Sequence, residues 1–341
     1  MIRFDSDYME GAHPAILARL NENNLEKMTG YGEDEICAEA KEKILSACAA
    51  PEGEVHFLVG GTQTNATVIA ALLRPYQAVV CADSAHIYTH EAGAIEAGGH
   101  KVIGLPGQNG LLDAETLRAY LARFYDDPTY MHTPIPGMVF VSHPSETGTL
   151  YTRERLEAIE SVCRQYGLLL YLDGARMAYG LASPDSDLTL PDIARLCDAF
   201  YIGGTKCGAL FGEAVVFPKK DACPHFFTTM KQRGALLAKG WLLGIQFDTL
   251  FSDGLYLRLG ENALEKARRL RDIFLSRGYT LYAESPTNQQ FFVLTNAQHR
   301  ALSEKLGYVQ FGRIDDEHII ARFVTSWATT DEQLDELEKV L

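Results

Sequence analysis

No apolar run in this 341-residue chain approaches the roughly 18 residues that a membrane-spanning helix needs. A membrane role is not expected. Positive charge is also scarce: 31 Lys and Arg face 45 Asp and Glu, and the net charge of -14 sets a repulsive average field against nucleic acid. The seven cysteines, at positions 37, 48, 81, 163, 197, 207 and 223, are odd in number and include no C-x-x-C pair. Neither a disulfide framework nor a thiolate zinc site is signalled, and cysteines of this kind serve mainly as small buried hydrophobes. The opening MIRFDSDYMEG is acidic and lacks the apolar stretch of a signal peptide, so a cytoplasmic location is expected. Repeats and low-complexity tracts are absent. So are H-E-x-x-H, G-x-x-x-x-G-K-[ST] and G-x-G-x-x-G, which leaves no specific indication of zinc, ATP or dinucleotide chemistry.

What is present is the composition of a soluble globular protein, 47% hydrophobic and 22% charged, with a length that suggests two domains at about 150 residues each. Short apolar runs recur with helical patterns between them: VHFLV (55–59), AVVCA (78–82), KVIGL (101–105), MVFVS (138–142), LLLYL (168–172), AFYI (199–202) and AVVF (214–217). Continuous runs of this length read as strands covered on both faces. The alternation predicts an α/β domain built on a mostly parallel seven-stranded sheet. From about Tyr256 the pattern changes to a basic helix, three candidate strands and a last helix opened by a Thr330-x-x-Gln333 capping box. Residues 1–254 are therefore expected to form an N-terminal segment and large domain, and 255–341 a small α+β domain.

In an open α/β sheet ligands bind beyond the carboxyl ends of the strands, and four of those ends carry chemistry. The first run leads into Gly60-Gly61-Thr62-Gln63-Thr64-Asn65 and an apolar helical stretch, which offers free N–H groups and a positive dipole to an anion such as phosphate. A plain strand-to-helix turn with a threonine cap would look the same. Asp173 follows LLLYL and leads into Gly174-Ala175-Arg176; it either pairs with Arg176 as a structural ion pair or holds a protonated ring nitrogen. Lys206, in Gly203-Gly204-Thr205-Lys206-Cys207-Gly208, is bracketed by small residues after a buried strand, where burial favours the neutral, nucleophilic amine. His86, after the second run, suits a ring-stacking or proton-transferring role, and its pairing with His90 lacks a third metal ligand. No metal is expected.

Phosphate loop, strand-end aspartate and strand-end lysine, in that order, are what a pyridoxal phosphate site requires: an anchor, a partner for the pyridinium and a Schiff-base lysine. Along nearly the whole chain these pieces resemble the L-threonine aldolase family, which has an aspartate-aminotransferase-like fold. The resemblance runs through Phe4-Asp5-Ser6-Asp7, Tyr31-Gly32-Glu33-Asp34, Gly60-Gly61-Thr62, the His86 segment, Asp173 to Arg176, Thr205-Lys206, Lys231-x-x-Gly234 and Ala321-Arg322-Phe323-Val324-Thr325.

The resemblance implies a pyridoxal-phosphate-dependent lyase that cleaves a β-hydroxy-α-amino acid to glycine and an aldehyde. By the same token Lys206 is the Schiff-base lysine, Asp173 the pyridinium partner and His86 the imidazole against the ring. Gly60, Gly61, Thr62 and Thr205 bind phosphate; Ser6, Arg176 and Arg322 hold the substrate carboxylate; and Tyr31, Lys231 and Lys239 reach the active site of a partner subunit in a homodimer or homotetramer. Two segments depart from the family pattern. Where members commonly carry Glu-Asn-Thr-His-Asn, this chain has Ser142-His143-Pro144-Ser145-Glu146-Thr147-Gly148, which leaves the base open among His86, Glu146 and His143. The Gly-Thr-Lys-Cys-Gly form is similar to a divergent branch that includes phenylserine aldolases. An aminotransferase or a β-eliminating lyase would use the same anchors and remains the alternative reading.

Overall fold

The computed structural model describes every residue from Met1 to Leu341. Its first strand, β1 (Ile2–Arg3), is followed by the seven strands of the large sheet: β2 (Glu54–Leu58), β3 (Gln77–Ala82), β4 (Val102–Leu105), β5 (Ile135–Ser142), β6 (Leu169–Asp173), β7 (Ala199–Gly203) and β8 (Glu213–Phe217). All seven coincide with the apolar runs of the sequence. They lie in the order β2-β8-β7-β6-β5-β3-β4. Strands β3 to β7 are parallel, and β8 runs antiparallel to both its neighbours. Residues on both faces are buried because helices cover both sides. The helix Arg153–Tyr166, for example, is capped by the Thr152 side chain and buries Leu156, Ile159 and Val162.

The 22-residue helix Leu255–Ser276 starts at Gly254, whose φ of 69° suits a residue without a Cβ. Beyond it come β9 (Thr280–Ala283), β10 (Gln289–Thr295), β11 (Leu306–Gly307), β12 (Val309–Arg313) and β13 (His318–Val324). Four of them form an antiparallel sheet in the order β12-β13-β10-β9. The last helix, Asp331–Val340, is opened by the Thr330–Gln333 capping box that the sequence predicted.

The amino terminus packs differently from the expected 1–254 grouping. β1 pairs in parallel with β11, Ile2 opposite Leu306, and Phe4 is buried in one apolar cluster with Phe274, Phe292 and Phe323. The apolar Ile2 and Phe4 find their cover on the C-terminal unit. Asp5 stays there, paired with Arg3, while Asp7 reaches Arg176 in the turn after β6.

The chain lays down β3 and β4 toward one edge and β5, β6 and β7 toward the other, so the strand order reverses between β3 and β5. The carboxyl ends of these strands deliver His86, Ser142, Asp173 and Lys206 to one crevice, as the topology of open sheets requires.

Candidate active site

The crevice is a cavity of about 260 Å³, and Gly60, Gly61, Thr62, His86, Asp173 and Lys206 all line it. Its floor depends on two glycines. A Cβ on Gly174 would meet the carbonyl of Tyr201, and one on Gly203 would meet that of Ala175, so the turns after β6 and β7 touch backbone to backbone. Gly203 N–H donates to the Gly174 carbonyl at 2.9 Å. This contact brings the segments of Asp173 and Lys206 side by side.

The helix Gly61–Leu72 begins at the cavity with Gly60 as its N-cap, and no side chain caps it. A Cβ at Gly60 would meet nothing within 4 Å. The threonine-capped turn that the sequence also allowed is thus not what forms; the first N–H groups are left for an anion. Thr62 and Thr205 stand at the same wall, although Thr205 Oγ1 already accepts from the Gly212 N–H at 3.0 Å.

Asp173 is buried and surrounded by neutral donors. Its Oδ1 accepts from the Tyr201 hydroxyl at 2.5 Å and the Ala175 N–H at 2.9 Å, and its Oδ2 accepts from Asn65 Nδ2 at 3.1 Å. Arg176, one of its possible partners from sequence, turns away to Asp7 instead, with hydrogen bonds of 2.7 and 3.0 Å. The Asp173 carboxylate therefore faces the cavity without a cation of its own, which fits a protonated ring nitrogen. Burial, with Arg176 adding to it, lowers the Lys206 amine below the usual lysine range, against the pull of Asp7, Asp173 and Glu213. These features fit pyridoxal phosphate: an uncapped helix terminus for the phosphate, an unpaired carboxylate for the ring and a softened amine for the aldehyde.

His86 lies at the mouth of the cavity. Its Nδ1 is 2.9 Å from Glu91 Oε1, and its backbone N–H donates to Glu146 Oε1 at 2.9 Å. Glu146 also accepts from Ser142 Oγ at 2.7 Å, and burial raises its carboxyl above the usual range. Two of the three candidate bases are thus neighbours. His143 is not with them: it is fully buried, its Nδ1 accepts from the Tyr151 N–H at 3.3 Å, and burial lowers it to about 4. It is a core imidazole beneath Gly180 and the cavity does not include it.

Ser6 and Arg322 lie outside the lining of the cavity, but Arg322 is close enough to Arg176, Asp7 and Tyr8 for their charges to act on it, and burial lowers its guanidinium. One of its nitrogens reaches Gln289 Oε1 at 3.3 Å, while the buried Nε has no acceptor. Ser6 Oγ is likewise buried without a partner. The unpaired Arg322 Nε, and a Ser6 Oγ next in sequence to the Arg176 partner Asp7, suit a carboxylate ligand. Tyr31 and Lys231 do not line the cavity. They stand together elsewhere, with Lys231 Nζ 4.4 Å from the Tyr31 ring centroid, and Lys239 is exposed next to Ala238, whose carbonyl accepts from the Tyr31 N–H at 3.1 Å.

Sequence reasoning missed Asn65, Glu91 and Glu213. Glu213 is buried at the start of β8, accepts from the Gly204 N–H at 3.2 Å, and is raised by burial to about 8. Its signal was an acidic residue opening a fully apolar strand. Asn65 gave no such signal, since Thr62, Gln63, Thr64 and Thr67 make the first half of its helix polar.

The beta-eliminating lyase family model matches residues 4–305. The chain belongs to that family. It is 30% identical over 340 residues to the low specificity L-threonine aldolase of Pseudomonas aeruginosa, covering 99% of this chain and 96% of that protein. The Saccharomyces cerevisiae low specificity L-threonine aldolase is 27% identical over 292 residues, covering 82% of this chain and 72% of the yeast protein. Among solved structures, Leishmania major threonine aldolase superposes with a TM-score of 0.95 at 41% identity, over 100% of this chain and 98% of that one. Aspartate aminotransferase from Thermus thermophilus gives 0.73 at 15% identity, over 100% and 92%, which is a likeness of fold.

Proposed function

We propose that this family member is a pyridoxal-phosphate-dependent aldehyde-lyase that cleaves β-hydroxy-α-amino acids of the threonine type to glycine and an aldehyde. The observation that carries this reading is the pairing of Asp173, free of any cationic partner, with the softened amine of Lys206 at one cavity. The aldolase relatives, which span nearly the whole chain, support it.

When bound, pyridoxal phosphate supplies an aldehyde for the amine and a protonated ring that takes up the electron pair released at Cα. The protein supplies the rest. The N-terminus of Gly61–Leu72 would hold the phosphate, Lys206 would bind the aldehyde, and the Asp173 carboxylate would keep the ring nitrogen protonated. Arg176 and Arg322 hold the substrate carboxylate, with Ser6 as a further donor. His86 Nε2 accepts the β-hydroxyl proton; the oxygen then becomes a carbonyl as the Cα–Cβ bond breaks, and a proton added at Cα completes glycine. Tyr31, Lys231 and Lys239, away from their own cavity, are assigned to the active site of a partner subunit.

The test is covalent. Borohydride reduction of the cofactor-loaded protein followed by peptide mapping should place the label on Lys206, and Lys206→Ala should take none and release no aldehyde. Recovery of the label on Lys231 or Lys239 would overturn the assignment.

A further inference from the structure

His86 is half-exposed at the cavity mouth, whereas the carboxylate it contacts is completely enclosed: 42% of the His86 side chain is accessible and none of the Glu91 side chain. Glu91 is followed by Ala92 and Gly93, both with positive φ, so its position is set by a tight local turn. Two donors meet on Glu91 Oε1, His86 Nδ1 at 2.9 Å and Asn65 Nδ2 at 2.8 Å, while Oε2 is buried with no partner at all. A carboxylate so poorly supplied depends on each donor it has. Asn65 is itself held on every side. It is fully buried, its Oδ1 accepts from the Tyr171 hydroxyl at 2.9 Å, and the same Nδ2 that donates to Glu91 donates to Asp173 at 3.1 Å.

A carboxylate that accepts only can face Nδ1 of a neutral imidazole only if Nδ1 carries the hydrogen. Nε2 is then the lone-pair nitrogen. Resting on the reading of the site given above, we propose that Glu91 is the positioning residue that makes His86 a base, fixing the tautomer with Nδ1–H toward Glu91 and Nε2 free, and that Asn65 ties this pair to Asp173. One amide then registers the proton-accepting side of the site against the ring-holding side. The logic is that of a carboxylate orienting a histidine in a hydrolase triad, on an unrelated fold and for a hydroxyl on the substrate.

The experiment uses full-length, cofactor-loaded protein with nitrogen-15 histidine, His86 being assigned by the signal lost in His86→Asn. The parent should show His86 in the Nδ1–H tautomer. In Glu91→Gln, where the side-chain amide can donate to Nδ1 as readily as accept from it, that signature should be lost or mixed. Cleavage of the β-hydroxy amino acid should fall about 10²-fold or more, the scale of general-base catalysis, while exchange of the glycine Cα proton stays within about threefold of the parent. Glu91→Asp keeps the charge one carbon short and should recover part of the cleavage; it also keeps the question open to measurement if the glutamine variant does not fold. Asn65→Ala should depress both reactions, because Asp173 loses a donor together with Glu91.

An unchanged His86 tautomer in Glu91→Gln, or cleavage and exchange falling in step, would overturn the assignment. If the parent exchanges glycine protons and shows the Nδ1–H tautomer yet releases no aldehyde, the aldol reading fails while the positioning of His86 by Glu91 stands.

Discussion

Arg176 and Asp7 are joined by two hydrogen bonds, Nε to Oδ2 at 2.7 Å and Nη2 to Oδ1 at 3.0 Å, across 169 positions of sequence. Asn288 Nδ2 adds a third bond to Asp7 at 2.8 Å. The pair is enclosed: the Asp7 side chain has no accessible surface and that of Arg176 has 12%. It fastens the amino-terminal segment to the turn after β6. By drawing Arg176 away from Asp173 it also leaves that carboxylate bonded by neutral donors alone.

Removing one partner of a buried ion pair strands the other, at about 3–5 kcal/mol, so Asp7→Ala should lower stability on that scale in chemical denaturation at neutral pH. Burial opposes the Asp7 charge, but Arg176, Lys206 and the hydrogen bonds from Arg176 and Asn288 outweigh it and hold the carboxyl below its usual range. A depressed native value means that the contribution is full above the unfolded aspartate value, about pH 4, and is lost as pH falls through the lower native value. The difference between parent and Asp7→Ala should be constant from pH 8 to about pH 4 and narrow below it.

Asp173→Asn should still take up pyridoxal phosphate, because the phosphate cradle and Lys206 are untouched. It should lose about 10²-fold or more in kcat, since an amide cannot hold the ring nitrogen protonated. Turnover close to the parent's would reduce Asp173 to a structural acceptor for Tyr201 and Asn65.

Arg322→Ala should raise KM for threonine by about 10–100-fold, the equivalent of a charged hydrogen bond worth about 1.5–3 kcal/mol. Substrate amides, which lack the carboxylate, should distinguish little between variant and parent. An unchanged KM for free amino acids would remove Arg322 from the site.

The large sheet was legible because β3 and β5 to β8 are buried on both faces and so appear as continuous apolar runs, while the edge strands β2 and β4 keep enough apolar residues to join the pattern. β12, Val309–Arg313, was not: it is an edge strand with mostly exposed side chains and a register shift before Gly312, so neither alternation nor an apolar run marks it. The gathering of Lys206, Asp173 and the Gly60-Gly61 turn at one cavity could be read because each sits at the end of a strand or just after it, where topology fixes its address. Asp7, Asn65 and Glu91 could not, for each acquires its role from a partner on another element: Arg176, Asp173 and His86. His143 illustrates the reverse error. Its place after β5 suggested chemistry, but the chain turns it under Gly180 into the core.

What separates an aldol cleavage from the other reactions these anchors could serve is the bond that breaks. Protein loaded with pyridoxal phosphate and given threonine, with no keto acid present, should release acetaldehyde and glycine in equal amounts, the first read by reduction with a coupled alcohol dehydrogenase and the second by amino-acid analysis. Formation of 2-oxobutanoate and ammonia instead, or consumption of threonine only when a keto acid is added, would rule out aldol cleavage.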